Sequence, residues 1–250
     1  MNAQTVFITG ATSGIGLAAA KHFVNQGKNI LFTGRDEKKV KQTEQQLIEL
    51  AGTNQITGFV CDNADFDQIN SLAAHLTNQH IKIDSLVLNA GVFYPAMFTD
   101  NSQQMMQQTM AINFFGPAIM LQSFIPVLAN PCSVVYVSSV AVEKAWPTAS
   151  VYSASKAAFE GLTGSINLEL AAQGVRINHL RPGVTLTEIQ AKAGMSDEQI
   201  TELVGNMSGT PMGRILQPED MIAAIDYLAS NASSGMRNAA IRVDGGFCLG

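Results

Sequence analysis

The chain has little of what marks a disulfide-stapled, metal-binding or nucleic-acid-binding protein. Its three cysteines, Cys61, Cys132 and Cys248, stand far apart among 250 residues, with no C-x-x-C and no Cys/His cluster. An odd count at such spacing argues against a disulfide framework and against a structural zinc site. The cysteines are therefore expected as small buried hydrophobes, and no metal site is expected. Fifteen basic residues against twenty acidic ones leave a formal charge of −5, with no basic stripe. Nucleic acid is not an expected partner. No run of about 18 uninterrupted apolar residues is present, so no membrane partner is expected. The N-terminal stretch MNAQTVFITG lacks a basic segment followed by a long apolar one, and a cytoplasmic enzyme or binding protein is the expectation. Repeats, low-complexity tracts and inter-domain linkers are lacking too.

What is present is alternation. Short apolar runs at 5–9, 29–34, 55–61, 84–91, 132–139, 175–183 and 239–243 read as buried strands. Longer amphipathic runs at 14–27, 36–52, about 65–79, about 101–129, 150–174 and about 218–230 read as helices. Strand then helix, repeated about six times, predicts a parallel sheet covered on both faces. The fold class is α/β: a Rossmann-type doubly wound sheet of about seven strands, forming one domain over 1–250. Ligands of such sheets bind at the carboxyl ends of the strands.

The first strand runs into TGATSGIG at 9–16. Glycines at 10, 14 and 16 let the backbone turn sharply and approach a pyrophosphate, while the following helix offers free N–H groups. The spacing G-x-x-x-G-x-G is neither G-x-G-x-x-G nor a P-loop. Gly10, Thr12, Ser13, Gly14, Ile15 and Gly16 are the expected phosphate-end contacts. The end of the second strand discriminates between dinucleotides. A carboxylate there would bond the ribose hydroxyls of NAD, but that place falls on Gly34, followed by Arg35. Arg35 is suited to a 2′-phosphate, so NADP(H) is preferred, with NAD(H) left open. Asp36 reads as the N-cap of the next helix.

Tyr152 and Lys156 in SVYSASKAAF lie one helical turn apart. With four tyrosines and nine lysines in the chain, such a pair arises by chance about once in seven such chains. Its context is more specific: Ser139 ends the fifth strand, thirteen residues before Tyr152, so serine and tyrosine should meet at the sheet edge. A phenol and an ammonium at that distance can change each other's acidity, and Lys156 together with the positive nicotinamide of an oxidised cofactor is expected to lower the Tyr152 pKa.

From TGATSGIG at 9–16 through CDN at 61–63, LNAG at 88–91, AIN at 111–113, VSS at 137–139, YSASK at 152–156, RPGVTLT at 181–187, PMGRILQPED at 211–220 and VDGG at 243–246, the chain resembles the classical short-chain dehydrogenase/reductase family nearly end to end. The resemblance implies a catalytic tetrad of Asn113, Ser139, Tyr152 and Lys156. Tyr152 would be the general acid and base, Ser139 would bond the substrate oxygen, and Lys156 would hold the nicotinamide ribose. Asn113 would keep a water in a proton relay. It also implies an adenine site at Asp62 and Asn63, ribose-side contacts at Asn89, Ala90 and Gly91, and a nicotinamide site at Pro182, Gly183, Val184 and Thr187. Asn63 stands where the family usually has valine, and Leu88 where it has asparagine. The substrate pocket would be lined by Val92, Phe93, Tyr94, Val140, Val142, Trp146, Leu186 and Ile189, under a lid at about 187–212. Glu143 and Lys144 are expected to face solvent. The implied substrate is a neutral, moderately hydrophobic ketone or secondary alcohol, and the implied assembly a homotetramer or homodimer. Two alternatives stand beside this reading: a 3-oxoacyl-carrier-protein reductase, and a non-catalytic dinucleotide sensor.

Overall fold

Along the described residues, 3–249 of a computed structural model, side chains of successive strand residues point to opposite faces of one sheet. On β1 (Thr5–Ile8), Val6 and Ile8 enter one hydrophobic cluster and Phe7 the other. β2 (Asn29–Gly34), β3 (Ile56–Val60), β4 (Ile83–Leu88), β5 (Leu128–Val137), β6 (Val175–Pro182) and β7 (Ala240–Val243) complete the sheet. The order is β3-β2-β1-β4-β5-β6-β7 and every pairing is parallel. Both faces are covered, which is why the strands read as continuous apolar runs. The helices α1 (Gly14–Asn25), α2 (Glu37–Ala51) and α9 (Ile222–Ala229) close one face. The other carries α3 (Phe66–Asn78), α5 (Gly116–Phe124) and α6 (Ser150–Glu169). Strand order reverses between β1 and β4, and a crevice opens there.

Most boundaries fall within a few residues of the sequence reading, and Asp36 does cap α2, accepting from Lys39 N at 3.0 Å. The helix expected over 101–129 is different. It runs as α4 (Gln103–Met110), a π-helical turn Ala111–Phe115, α5, and a tight turn Ile125–Val127. Gln103–Val127 is the one continuous helical run among the described residues long and apolar enough to cross a membrane, but its Ile112, Met120, Leu121 and Phe124 are buried in the protein. β5 starts at Leu128, paired with Ile83 ahead of a register shift, instead of at 132. Buried helix and buried strand carry the same apolar signature, so the boundary between them is hidden in sequence. β5 also ends at Val137, with Ser138 N still donating to Leu180 O of β6 at 2.8 Å and Ser139 beyond the ladder. The stretch 187–212 forms two short helices, α7 (Glu188–Lys192) and α8 (Asp197–Asn206), over the carboxyl ends of the strands.

Phe7 and Phe124 meet edge to face at 4.9 Å and both are fully buried. Phe124→Ala is expected to lower unfolding free energy by about 3–5 kcal/mol through lost transfer energy and an uncollapsed cavity, read as a fall in the urea midpoint.

Candidate active site

The loops after β1, β2, β4, β5 and β6 enclose a cavity of about 670 Å³, within the usual range of roughly 300–1,000 Å³ for small-molecule and cofactor sites. At one end lie Gly10, Thr12, Ser13, Gly14, Ile15, Arg35, Asp62 and Asn63. Two strand ends are locked together there. Thr9 Oγ1 accepts from Asn89 N at 2.8 Å and Ala90 N at 2.9 Å, and Asn89 Nδ2 donates to Thr9 O and Gly10 O. Gly10 has φ +65°, and a Cβ on it would stand 2.9 Å from Ala90 Cα. Gly16 does not line the cavity. A Cβ on Gly16 would fall 2.5 Å from Asn89 Nδ2 and 2.6 Å from Gly10 O, so it serves the close approach of helix and turn.

At the end of β2 a Cβ on Gly34 would lie 2.4 Å from Thr12 Cγ2 and 2.9 Å from Val40 Cγ2. The position leaves no room for an acidic side chain. Arg35 is exposed and lines the cavity. Asp62 accepts from Ala64 N at 2.9 Å. Asn63 is buried with Nδ2 lacking a protein partner. Neighbouring Cys61 also lines the cavity, a position the sequence did not single out; burial pushes its thiol up to about 11, which leaves it unreactive.

Ser139, Tyr152 and Lys156 line the cavity further along with Gly91, Pro182, Gly183 and Val184, while Ala90 and Thr187 stand against Gly10 and Gly14 between the two groups. Lys156 is 3% exposed. Its Nζ donates to Val137 O at 2.8 Å and stands 4.9 Å from the centre of the Tyr136 ring. Burial lowers its pKa to about 8, with Glu160 pulling the other way. Within the chain alone, Tyr152 shifts upward. Burial raises its phenol pKa, and a hydrogen bond with Ser139 opposes the rise. Lys156 turns its ammonium to a carbonyl and an aromatic face, so within the chain desolvation outweighs its pull. That bond distinguishes Ser139 from Ser138, which lines the cavity as well. Ser139 Oγ also accepts from Ala141 N at 3.1 Å.

Asn113 does not reach the cavity. It is fully buried, exchanges both amide hydrogen bonds with Val92 at 2.9 Å, and donates to Ser155 Oγ at 3.0 Å. Ser155 in turn donates to Tyr152 O at 2.7 Å. Asn113 therefore braces the loop after β4 against the start of α6.

Of the residues expected around the substrate, Val92, Phe93, Val140, Trp146 and Ile189 line the cavity, with Phe93 stacked obliquely 5.0 Å from Tyr152. Tyr94, Val142 and Leu186 do not. Tyr94 and Leu186 each sit between two lining residues without lining the cavity themselves. Val142 closes the short turn Val140–Val142, in which Val140 takes the inward place. Met195 between α7 and α8, Leu203 of α8 and Met207 just after it line it as well, as does Phe247 of the C-terminal tail. Lys144, expected in solvent, anchors that tail: its Nζ donates to Phe247 O at 2.8 Å and lies 4.6 Å from the ring centre. Glu143 is likewise not simply solvated, pairing with Arg181 and Arg242. Above the glycine turn, Glu188 of α7 binds Lys39 and Lys192, each at 2.9 Å, and Lys192 reaches Ser13 Oγ at 3.4 Å.

Residues 10–248 match the family described as enoyl-(acyl carrier protein) reductase. The chain is 32% identical to 2,3-dihydro-2,3-dihydroxybenzoate dehydrogenase of Escherichia coli K12, covering 99% of this chain and 98% of that one. It is 30% identical to D-threitol dehydrogenase of Mycolicibacterium smegmatis, covering 100% and 94%. A short-chain type dehydrogenase/reductase from Mycobacterium marinum superposes with TM-score 0.87 at 25% identity, over 99% of this chain and 96% of that one. The chain belongs to the short-chain dehydrogenase/reductase family. As a member of the short-chain dehydrogenase/reductase family it is an NAD(P)-dependent oxidoreductase acting on CH–OH groups. The cavity fits such a cofactor: a side-chain-free cradle at Gly10, Gly14 and Gly34 lies at one end, and polar groups converge at the other.

Because Lys156 is held near 8 against an ordinary 10.5, the unfolded chain binds more protons than the folded one between those values, and stability rises with pH across that window. Below it the folded chain carries a desolvated charge. Lys156→Met is expected to stabilise the protein at pH 7 by up to roughly 3 kcal/mol, the gain shrinking from pH 8 to 10.5, as read from urea midpoints at each pH.

Proposed function

We propose that the protein is an NADP(H)-dependent carbonyl reductase or alcohol dehydrogenase acting on a neutral, apolar ketone or secondary alcohol, with Tyr152 as general acid and base. The observation that carries this is one cavity whose partly apolar lining brings the Tyr152 phenol and Ser139 together, one helical turn from the buried Lys156. Reduction needs a hydride at carbon and a proton at oxygen. The bound nicotinamide supplies the hydride. Tyr152 gives its phenolic proton to the substrate oxygen, and in oxidation takes it back. Ser139 donates a hydrogen bond to that oxygen as negative charge grows on it. Lys156, whose pKa burial lowers to about 8, supplies a cation beside them at neutral pH. Pro182, Gly183, Val184 and Thr187 hold the carboxamide end, and Asp62 and Asn63 the base. Met195, Leu203 and Met207 give the segment 187–212 the character of a lid over the substrate.

The preference for NADP(H) rests on two groups. Gly34 leaves no space for the carboxylate that would bind a ribose diol, and Arg35 stands exposed beside it for a 2′-phosphate. Asp36 is engaged at the start of α2. An acyl-carrier-protein substrate is less well served. The only basic residue at 184–212 is Lys192, and it is paired with Glu188. The exposed Phe98, Phe115 and Leu168 on the side of α4 and α6, with β7 at the sheet edge, suit association with further copies as a tetramer or dimer.

The test follows cofactor absorbance over a panel of ketones and secondary alcohols, with NADPH and NADH in parallel. Turnover favouring NADPH is expected, with Tyr152→Phe lowering kcat by about 10²–10⁴-fold. Arg35→Ala should raise the Kd for NADPH about tenfold and leave that for NADH unchanged. Turnover with NADH alone would overturn the cofactor assignment, and tight dinucleotide binding with no turnover would favour the sensor.

A further inference from the structure

The Lys156 ammonium is nearly excluded from solvent, and its hydrogen bond among the described residues goes to one carbonyl, Val137 O. An ammonium has three donors and is costly to bury without partners. The carboxylate nearest in charge, Glu160, lies one turn on along α6 and is engaged by Arg181 of β6 through Nε–Oε1 at 3.1 Å and Nη2–Oε2. Tyr152 lies one turn back on the same helix, the uncharged Asn113 faces the same Gly91 as Lys156 Nζ, and His179 of β6, beyond the Tyr136 ring, has its pKa lowered by burial. What is left to face the charge is the Tyr136 ring of β5, 4.9 Å from Nζ to ring centre, inside the range of a cation–π contact.

That ring is held from several sides. Tyr136 is 1% exposed, stacks obliquely on Phe159 at 4.2 Å, and meets His179 edge-on at 6.2 Å. Its hydroxyl donates to Asn113 O at 3.0 Å. In a regular helix that carbonyl would accept from the residue four positions on, but that residue is Pro117, which has no N–H. The chain widens into its π-helical turn here, and the Tyr136 hydroxyl supplies a donor.

We propose that Tyr136 is a positioning residue for Lys156: its ring face holds the ammonium charged and in place, while its hydroxyl pins the ring to the Asn113 turn. The proposal rests on the reading of Lys156 as an active-site group, and its test does not require turnover. Lysine ε-carbons are labelled with ¹³C, and the cofactor-free protein is titrated by NMR. The Lys156 signal is identified by its loss in Lys156→Met. Tyr136→Phe keeps the ring and should leave the Lys156 pKa close to wild type. Pentafluorophenylalanine at position 136 keeps the shape and reverses the ring's charge distribution. It should lower that pKa by about one pH unit relative to Tyr136→Phe. Equal pKa values in the two variants would overturn the proposal, even in an enzyme that turns over ketones. The predicted difference in a protein that turns over nothing would uphold it while the proposed function failed. In the wild-type protein, the Lys156 ε-protons should be displaced upfield by the ring current, and ordinary lysine shifts would also overturn it.

Discussion

One hydroxyl sits at the point from which the crevice opens. Thr9 Oγ1 accepts the backbone N–H groups of both Asn89 and Ala90, tying the end of β1 to the end of β4 where the strand order reverses. Chain leaving β1 passes to the α1 side and chain leaving β4 to the other. The two loops diverge, and the space between them cannot be filled by either. Asn89 Nδ2 returns the tie by donating to the Thr9 and Gly10 carbonyls. The glycine turn is thereby held in a shape that its missing side chains permit and its neighbours enforce.

The far end of the crevice is organised around a different constraint, a cation kept from water. Lys156 reaches the end of β5 from α6, and everything near it is arranged by hydrogen bonds that run through Asn113: to Val92, to Ser155 and so to the Tyr152 backbone, and to the Tyr136 hydroxyl. Burial raises the tyrosine pKa and lowers that of the lysine to about 8, so the two groups, nearly matched in water, move apart and the lysine becomes the more acidic. Keeping that ammonium from water carries a cost in stability that a purely structural position would not need.

Distant segments complete the cavity. Glu188 bridges Lys39 and Lys192 above the glycine turn, and Lys144 fastens the C-terminal tail so that Phe247 meets Trp146 at 6.1 Å. These are half-exposed contacts, individually weak, appropriate for parts that cover a site.

The fold, the glycine turn and the meeting of Ser139, Tyr152 and Lys156 were legible in the sequence, because alternating apolar runs dictate a parallel sheet and local spacing fixes which residues share a helix face or strand end. Three things were not. The break of the long helix at Ala111–Phe115 and the early start of β5 are hidden because buried helix and buried strand share one composition. Which of Val92 to Pro95, or of Thr185 to Thr187, face inward depends on where the chain enters the crevice. The direction of the Tyr152 shift, and the roles of Lys144, Phe247 and Tyr136, depend on contacts between residues far apart in the chain. Sequence determines which groups are one turn or one strand apart; only tertiary packing decides how much water each retains, and desolvation sets the balance of charge in this site.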